Sequence, residues 1–241
     1  MTDTQPTETM DIPVTNGTTT GQRITTVLFD LDGTIADTAP DMAFALNEIL
    51  REAGREPLPL EELRPHTSHG SLGLIQCAFG FGSEDARFAA LRQRFLDVYN
   101  ANLAVDTRLF PEIEQLLFEL ERQGFRWGIV TNKPAWLTDP LMKLLGLAAR
   151  AACIVSGDTA AKSKPHPDPL HHACEVLACT PGECLYVGDA ERDIMAGRSA
   201  GMATLVAGFG YIHKDERPSE WGADGIIDSP LGVLDWLTRH A

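Results

Sequence analysis

The hydrophobic positions of this chain follow two alternating periods. Short apolar runs that end in small or polar residues are typical of buried strands. They occupy residues 24–32, 127–132, 152–158, 184–189 and 203–209, with a weaker sixth run at 225–228. Helix-period stripes lie between them, as at Leu116, Leu117 and Leu120 before Gly124. Strands that alternate with helices predict an α/β fold, in which helices cover both faces of a parallel sheet.

One segment departs from this alternation. About 95 residues separate the first two predicted strands, far more than a crossover helix needs. Residues 37–103 carry helical patterns only, so we predict an inserted helical cap there and a core formed by residues 24–36 and 104–241. Residues 1–23 are rich in Thr and lack an apolar stretch, which predicts a disordered tail rather than a secretory signal.

Polar residues come at or soon after the ends of several predicted strands. They are Asp30 and Asp32 in FDLDGT, Thr131 and Asn132 in VTN, Lys164 in KSKPHP, and Asp189 and Asp193 in VGDAERD. The carboxyl ends of parallel strands meet at one edge of a sheet, so we expect these side chains to lie together. Residues i and i+2 of a strand share a side, so Asp30 and Asp32 both face that edge.

The grouping of carboxylates favours a metal site. Clustered carboxylates repel one another unless a cation lies among them. An oxygen-rich, incompletely enclosed site suits Mg²⁺, which takes one or two carboxylates, several waters and substrate phosphate. Each motif alone has an ordinary structural explanation, since Asp and Gly favour turns and a loop Lys is usually solvated. All four motifs in order, each at the same edge, favour a magnesium site.

The ordered set of motifs also carries a family resemblance. DxDGT, the strand-end Thr, the Lys before Pro and GDxxxD resemble the four motifs of the haloacid dehalogenase superfamily of aspartate-nucleophile phosphotransferases, over residues 24–237. The strings DLDGTIADTAPD, VTNKP, KPHPDPL and VGDAERDI look like its phosphoglycolate phosphatase branch. WGIVTNKP and GYIHKDERPSEWGADGIIDSP are also similar to N-acetylmuramic acid 6-phosphate phosphatases within that branch. The resemblance implies a Rossmann-like core with a helical cap inserted after the first strand.

The resemblance implies catalytic and metal-binding roles for four aspartates. Asp30 is the expected nucleophile, which forms an aspartyl-phosphate. Asp32 is the expected general acid and base, and its backbone carbonyl is an expected metal ligand. Asp30 and Asp189 are the other expected Mg²⁺ ligands, and Asp193 is expected to ligate the metal or to orient its waters.

The resemblance also implies how the substrate is held. Thr131, Asn132 and Lys164 are expected to bind phosphoryl oxygens, with Thr131 and Lys164 taking part in catalysis. The first expected substrate is 2-phosphoglycolate, and the alternative is N-acetylmuramic acid 6-phosphate from cell-wall sugar recycling. Both carry a carboxylate, which Ser68 and His69 of the cap are expected to contact. Related chains commonly place a basic residue near this glycine segment, where this chain has Leu72.

Charge and cysteine usage narrow the classes of partner. The net charge of −14 argues against nucleic-acid binding. No apolar run approaches the length of about 18 residues that a membrane span needs. The five cysteines form no CxxC pair and are odd in number, so we expect reduced, mostly buried thiols in a cytoplasmic protein. The expected partner is a small phosphorylated metabolite, bound by a monomer or a small homo-oligomer.

Three rival classes share part of this pattern. A phospho-accepting receiver domain also clusters aspartates around Mg²⁺, but it has no reason to carry a large helical insertion. A catalytically inactive binding module is disfavoured because no motif residue is missing. A phosphomutase of the same superfamily shares all four motifs, and steady phosphate release without a sugar bisphosphate would exclude it.

Overall fold

The chain folds around one six-stranded parallel sheet. The computed structural model describes residues 23–240, so all but the last residue of the predicted tail at 1–23 lies outside the described residues. The strands are β1 (Thr26–Phe29), β2 (Ala36–Asp37), β3 (Arg108–Leu109), β4 (Arg126–Val130), β5 (Ile154–Val155), β6 (Cys184–Gly188), β7 (Ala203–Ala207) and β8 (Gly225–Ile227). The sheet order is β5-β4-β1-β6-β7-β8, and every pair is parallel. The predicted α/β class is confirmed.

Helices follow most of these strands. They are α1 (Ala39–Glu52), α2 (Leu60–Leu63), α3 (Gly70–Phe79), α4 (Phe88–Ala101), α5 (Ile113–Arg122), α6 (Ala135–Leu144), α7 (Asp168–Leu177), α8 (Glu191–Ala200) and α9 (Gly232–Arg239). A short 3₁₀ turn, Arg64–His69, leads into α3. None of the helices in residues 23–240 combines the length and hydropathy that crossing a bilayer requires.

Both faces of the sheet are covered, as the apolar strands predict. Val27 and Phe29 of β1 enter one apolar cluster together with residues of α5 and α9. Leu28, between them, enters a second cluster together with residues of α7 and α8. Successive side chains of a strand point to opposite faces, so β1 is buried on both sides. Burial on both sides fixes the strand that delivers Asp30 to the sheet edge.

The helices α1 to α4 pack mainly on one another. Their buried residues form a separate apolar cluster that includes Leu46, Ile49, Leu74, Phe95 and Tyr99. We refer to residues 37–103 as the cap. Its boundaries at 37 and 103 stay a proposal.

A short antiparallel ribbon lies where the chain enters and leaves the cap. β2 pairs with β3, with Ala36 opposite Leu109 and Asp37 opposite Arg108. The expectation that residues 37–103 carry only helical structure is therefore wrong at Asp37. A two-residue strand is too short to show a hydrophobic period, and its partner lies far along the chain, so the sequence gives no local signal for it.

Candidate active site

Three carboxylates meet at the carboxyl edge of the sheet. Asp30 follows β1, Asp189 follows β6, and Asp193 lies in the first turn of α8. One carboxylate oxygen of each lies within 4.8 Å of the others, and all three residues are buried. β1 and β6 are neighbours in register, with Phe29 opposite Val187. The register places Asp30 beside the end of β6, as the sequence predicts.

Lys164 lies against this acidic cluster. Its Nζ is 3.0 Å from Oδ1 of Asp30 and 2.8 Å from Oδ1 of Asp193. It also donates to the carbonyl of Val130 at 2.9 Å and to the hydroxyl of Tyr186 at 2.7 Å. These partners bury the ammonium group next to Asp30, which lines the open cavity described below. Lys164 thus contacts Asp30 directly, and its predicted contact with phosphoryl oxygens stays a prediction.

Asp189 receives hydrogen bonds from both parts of the chain. The hydroxyl of Ser68, in the cap, donates to Oδ2 at 2.6 Å, and the backbone N–H of Tyr211 donates to the same oxygen at 2.9 Å. Gly33 has φ of +87°, and a Cβ at this position would collide with the Asp189 carboxylate. Both the left-handed backbone and the close approach therefore require glycine in FDLDGT.

Burial and the neighbouring negative charges favour the protonated forms of Asp189 and Asp30. Burial raises the pKa of Asp189 to about 7, and the charges of Asp193 and Asp30 add to the rise. Burial also raises the pKa of Asp30, and the charge of Lys164 opposes that shift. Lys164 and the half-buried Arg192 face three carboxylates, so the ionised cluster carries an excess negative charge.

The donor set fits a hard divalent cation. Carboxylate oxygens are the ligands that Mg²⁺ prefers. Oδ1 of Asp193 is buried, and its cationic partner is Lys164, 2.8 Å away, which also pairs with Asp30. The three buried carboxylates outnumber the cations beside them, and buried charge is costly unless a further cation completes the group. The side chain of Asp32 lies outside this group, so a metal contact there would fall to its backbone carbonyl.

Asp32, which is partly buried, instead pairs with a buried lysine that sequence reasoning missed. Lys133 Nζ is 2.9 Å from Oδ1 of Asp32, and the hydroxyl of Thr38 donates to the same oxygen at 2.6 Å. The ammonium group also lies 4.6 Å from the centre of the Tyr99 ring. Burial lowers the pKa of Lys133, but Asp32 and Tyr99 together outweigh it and raise that pKa above its usual value. The available sequence signal is the place of Lys133 after Asn132 in VTNKP.

Thr131 and Asn132 follow β4 beside this pair, but their side chains have different partners. Thr131 is buried and lines the cavity, and its hydroxyl accepts a 3.2 Å hydrogen bond from the N–H of Lys133. The side-chain amide of Asn132 is bonded to the backbone of Lys164, donating at 2.9 Å and accepting at 3.0 Å. Asn132 therefore fastens the segment that carries Lys164. Its predicted contact with phosphoryl oxygens would fall to its backbone N–H.

A cavity of about 510 Å³ lies between the sheet edge and the cap. Asp30, Asp32 and Thr131 line it from the core side. The cap contributes residues from α1, α3, α4 and the turn before α3. They are Met42, Thr67, Ser68, His69, Gly70, Ser71, Leu72, Arg92, Phe95, Leu96 and Tyr99. The predicted cap residues Ser68 and His69 thus reach the same cavity as the core aspartates.

Arg192 joins the cap to the core at this cavity. Its Nη2 donates to the carbonyl of Ser68 at 2.6 Å, and its Nη1 lies 3.5 Å from Nδ1 of His69. Sequence reasoning also missed this residue, which stands between the predicted ligands in VGDAERD. Because the Ser68 hydroxyl bonds Asp189, the structure gives this predicted substrate contact a role in holding the cap against the core.

A third cation, after Lys133 and Arg192, faces the cavity from α4. Arg92 lines the cavity, and within residues 23–240 no salt bridge or side-chain hydrogen bond engages its guanidinium. Arg94, two residues on, pairs with Glu52 at 2.6 Å. Leu72 is exposed at the same cavity, where the resemblance led us to expect a basic residue. The cap therefore supplies its basic side chain, Arg92, from α4 and not from the glycine segment at Leu72.

Comparison with known families agrees with this geometry. Residues 27–207, well over half of the chain, match the haloacid dehalogenase-like hydrolase family. The chain belongs to this family. The helical cap and the six-stranded parallel sheet described above accord with that membership.

Curated relatives and solved structures cover nearly all of the chain. An N-acetylmuramic acid 6-phosphate phosphatase of Pseudomonas aeruginosa is 41% identical, with 90% of this chain and 96% of the relative aligned. A phosphoglycolate phosphatase of Xanthomonas campestris pv. campestris is 44% identical, with 85% and 92% aligned. The crystal structure of a predicted phosphoglycolate phosphatase from Haemophilus somnus superimposes with a TM-score of 0.78 at 26% identity, covering 89% of this chain and 98% of that one.

Proposed function

We propose that this haloacid dehalogenase-like hydrolase is a phosphoric monoester hydrolase that carries the phosphoryl group on Asp30. The observation that carries the proposal is the meeting of Asp30, Asp189 and Asp193 within 4.8 Å, at the core wall of a cavity that the cap covers. The names of the relatives, which are phosphatases, support the same reaction class.

The reaction has two displacements at phosphorus. The carboxylate of Asp30 attacks in line, a P–O bond to Asp30 forms, and the P–O bond to the alcohol breaks. Asp32 gives its proton to the departing alkoxide. Water then attacks the same phosphorus, Asp32 takes the proton of that water, and phosphate leaves with Asp30 restored.

The contacts of Asp30 prepare it for attack. Its Oδ1 accepts a 2.8 Å hydrogen bond from the N–H of Leu31 and lies 3.0 Å from Lys164 Nζ. With Oδ1 engaged, Oδ2 is the oxygen left to attack. Lys164 also offsets the charge that a phosphate dianion brings against a carboxylate.

Lys133 and Thr38 fix the second aspartate. Both engage Oδ1 of Asp32, so the carboxyl group is held in one orientation while its other oxygen exchanges the proton. The ammonium group of Lys133 stabilises the ionised form that remains after the proton is given. Thr131 and the backbone N–H of Asn132 bind phosphoryl oxygens.

Asp30, Asp189, Asp193 and the backbone carbonyl of Asp32 would hold Mg²⁺. When bound, the cation supplies positive charge that neutralises the phosphate and aligns it with the nucleophile. The assignment is supported by the excess negative charge of three buried carboxylates that share Lys164 and Arg192.

The cavity narrows the substrate class. Ligand pockets of roughly 300–1,000 Å³ suit molecules larger than a two-carbon acid, and this cavity measures about 510 Å³. N-acetylmuramic acid 6-phosphate, with its ring, acetyl and lactyl groups, would fill it better than 2-phosphoglycolate. We therefore place the sugar phosphate first and keep 2-phosphoglycolate as the second candidate, since several relatives carry that name. Both bear a carboxylate that Arg92 can bind.

One experiment decides between them. The ratio kcat/KM is measured for both esters and for p-nitrophenyl phosphate on the same preparation with excess Mg²⁺. We expect the sugar phosphate to be preferred over 2-phosphoglycolate by at least about tenfold, or ~1.4 kcal/mol of transition-state binding. The opposite preference would overturn the ordering. Absence of phosphate release from all three esters would contradict the reaction class.

A further inference from the structure

Three thiols cluster at the edge of the sheet opposite the carboxylates. Cys184 is the first residue of β6, Cys174 lies in the last turn of α7, and Cys179 follows that helix. Asp189 follows the other end of the same strand, which has five residues. At about 3.3 Å per residue the two groups lie roughly 16 Å apart. The thiol cluster is therefore separate from the proposed catalytic site.

The sulfur atoms have the spacing of a metal–thiolate group. Sγ of Cys184 lies 3.5 Å from Sγ of Cys179 and 3.8 Å from Sγ of Cys174, and all three lie within 4.8 Å of one another. Zinc–sulfur bonds of about 2.3 Å in a tetrahedral site place sulfur atoms roughly 3.8 Å apart. Small rotations of the three side chains would suffice to receive an ion.

The apolar surroundings of the thiols favour a soft metal, and the partial exposure of Cys179 gives the metal access from solvent. Cys174 and Cys184 are buried in an apolar cluster, and Cys179 is only partly buried at its edge. Cys153 belongs to the same apolar cluster but lies outside the group of close sulfur atoms. The guanidinium of Arg126 donates to the carbonyl of Leu177 at 2.5 Å, two residues before Cys179. Burial raises the pKa of the Cys179 thiol, and the charge of Arg126 opposes that rise.

We propose that Cys174, Cys179 and Cys184 form a three-thiolate site for a soft divalent metal ion such as Zn²⁺ or Cd²⁺. The three protein ligands leave a fourth position open to water or a small exogenous ligand. Binding releases three thiol protons and forms three metal–sulfur bonds, with no change of oxidation state. The expectation of reduced, mostly buried thiols does not anticipate this grouping, because Cys174 meets Cys184 only where the end of α7 reaches the first residue of β6.

The test is a titration of the reduced, metal-free full-length protein with Cd²⁺ in excess Mg²⁺. Thiolate-to-cadmium charge transfer in the ultraviolet reports sulfur ligation alone, so binding at the carboxylates does not register. We expect one equivalent to saturate the band. Cys179→Ser is expected to weaken binding at least about 100-fold, because a hydroxyl is a poor ligand for a soft ion. Cys77→Ser, at an exposed thiol of the cap, is the matched control and is expected to bind as the parent does.

A measurement on the unaltered chain guards against misfolding of the variant. Alkylation of the folded protein is mapped by mass spectrometry with and without Cd²⁺. We expect the metal to slow modification of Cys179 at least about tenfold and to leave Cys77 unchanged. Equal protection of both thiols, an unaltered band in Cys179→Ser, or a disulfide within the cluster of the metal-free protein would overturn the proposal.

Discussion

The hydroxyl of Ser68, in the cap, donates a 2.6 Å hydrogen bond to Oδ2 of Asp189, at the carboxyl end of β6. The bond joins two groups that are 121 positions apart in the chain. It favours the ionised carboxylate and so opposes the rise that burial imposes on the pKa of Asp189. The position of the cap and the readiness of Asp189 to bind a cation are therefore linked.

Removing this hydroxyl is expected to weaken Mg²⁺ binding. In Ser68→Ala, Asp189 loses the bond that favours its charged form, so the Mg²⁺ concentration for half-maximal activity should rise about threefold to tenfold at pH 7. The difference should shrink at pH 9, where Asp189 is ionised in either protein. Ser71→Ala, which lines the same cavity, is the matched control. An unchanged Mg²⁺ requirement in Ser68→Ala would count against the link.

The stability of the metal-free protein is expected to fall as pH rises. Burial raises the pKa of Asp189 to about 7, above the value of about 4 in an unfolded chain. Between these values the folded state binds a proton that the unfolded state has released, so the free energy of unfolding decreases with pH through this window.

Thermal melts in a chelating buffer measure this effect. We expect the Tm to fall by roughly 5–10 °C between pH 5 and pH 7.5 and then to level off. Asp189→Asn, which has no proton to lose, should remove most of the slope, whereas Asp215→Asn, at an exposed position, should keep it. A Tm that rises over this range in the parent protein would contradict the assignment.

Lys133 is expected to be needed for turnover although it lies away from the metal-binding group. Lys133→Met removes the charge 2.9 Å from Asp32, and kcat on p-nitrophenyl phosphate should fall about 10-fold to 100-fold. The affinity for Mg²⁺ should change little. Lys162→Met, at an exposed lysine, should behave as the parent. A loss confined to Mg²⁺ affinity would show that Lys133 acts on the metal instead.

The sequence is sufficient to place the parallel sheet and the seven polar motif residues at one edge of it. Each of those predictions depends on a local property, the period of a strand or the residues at its end. The roles of Lys133 and Arg192 were not predicted, because their partners, Asp32 and Ser68, lie more than 100 positions away in the chain. Lys164 and Asn132 were placed at the right edge, but their contacts depend on packing that no short motif encodes.

Arg92 is expected to bind the carboxylate of the substrate. Arg92→Gln should raise KM at least about tenfold for the carboxylate-bearing esters and leave kcat/KM on p-nitrophenyl phosphate within about twofold. Arg94→Gln is the matched control, since it removes an arginine of the same helix that is already paired with Glu52. Equal losses on all esters would indicate that Arg92 supports the cap rather than the carboxylate.

The central claim is that the phosphoryl group passes through Asp30, and rapid-quench peptide mapping tests it most directly. Asp32→Asn should slow hydrolysis of the intermediate, so acid quenching within one turnover of p-nitrophenyl phosphate should give a phosphorylated peptide that contains residue 30. The account predicts phosphate on Asp30 in a substantial fraction of that protein, and none in Asp30→Asn. Steady turnover in Asp30→Asn, or phosphate on a different residue of Asp32→Asn, would contradict it.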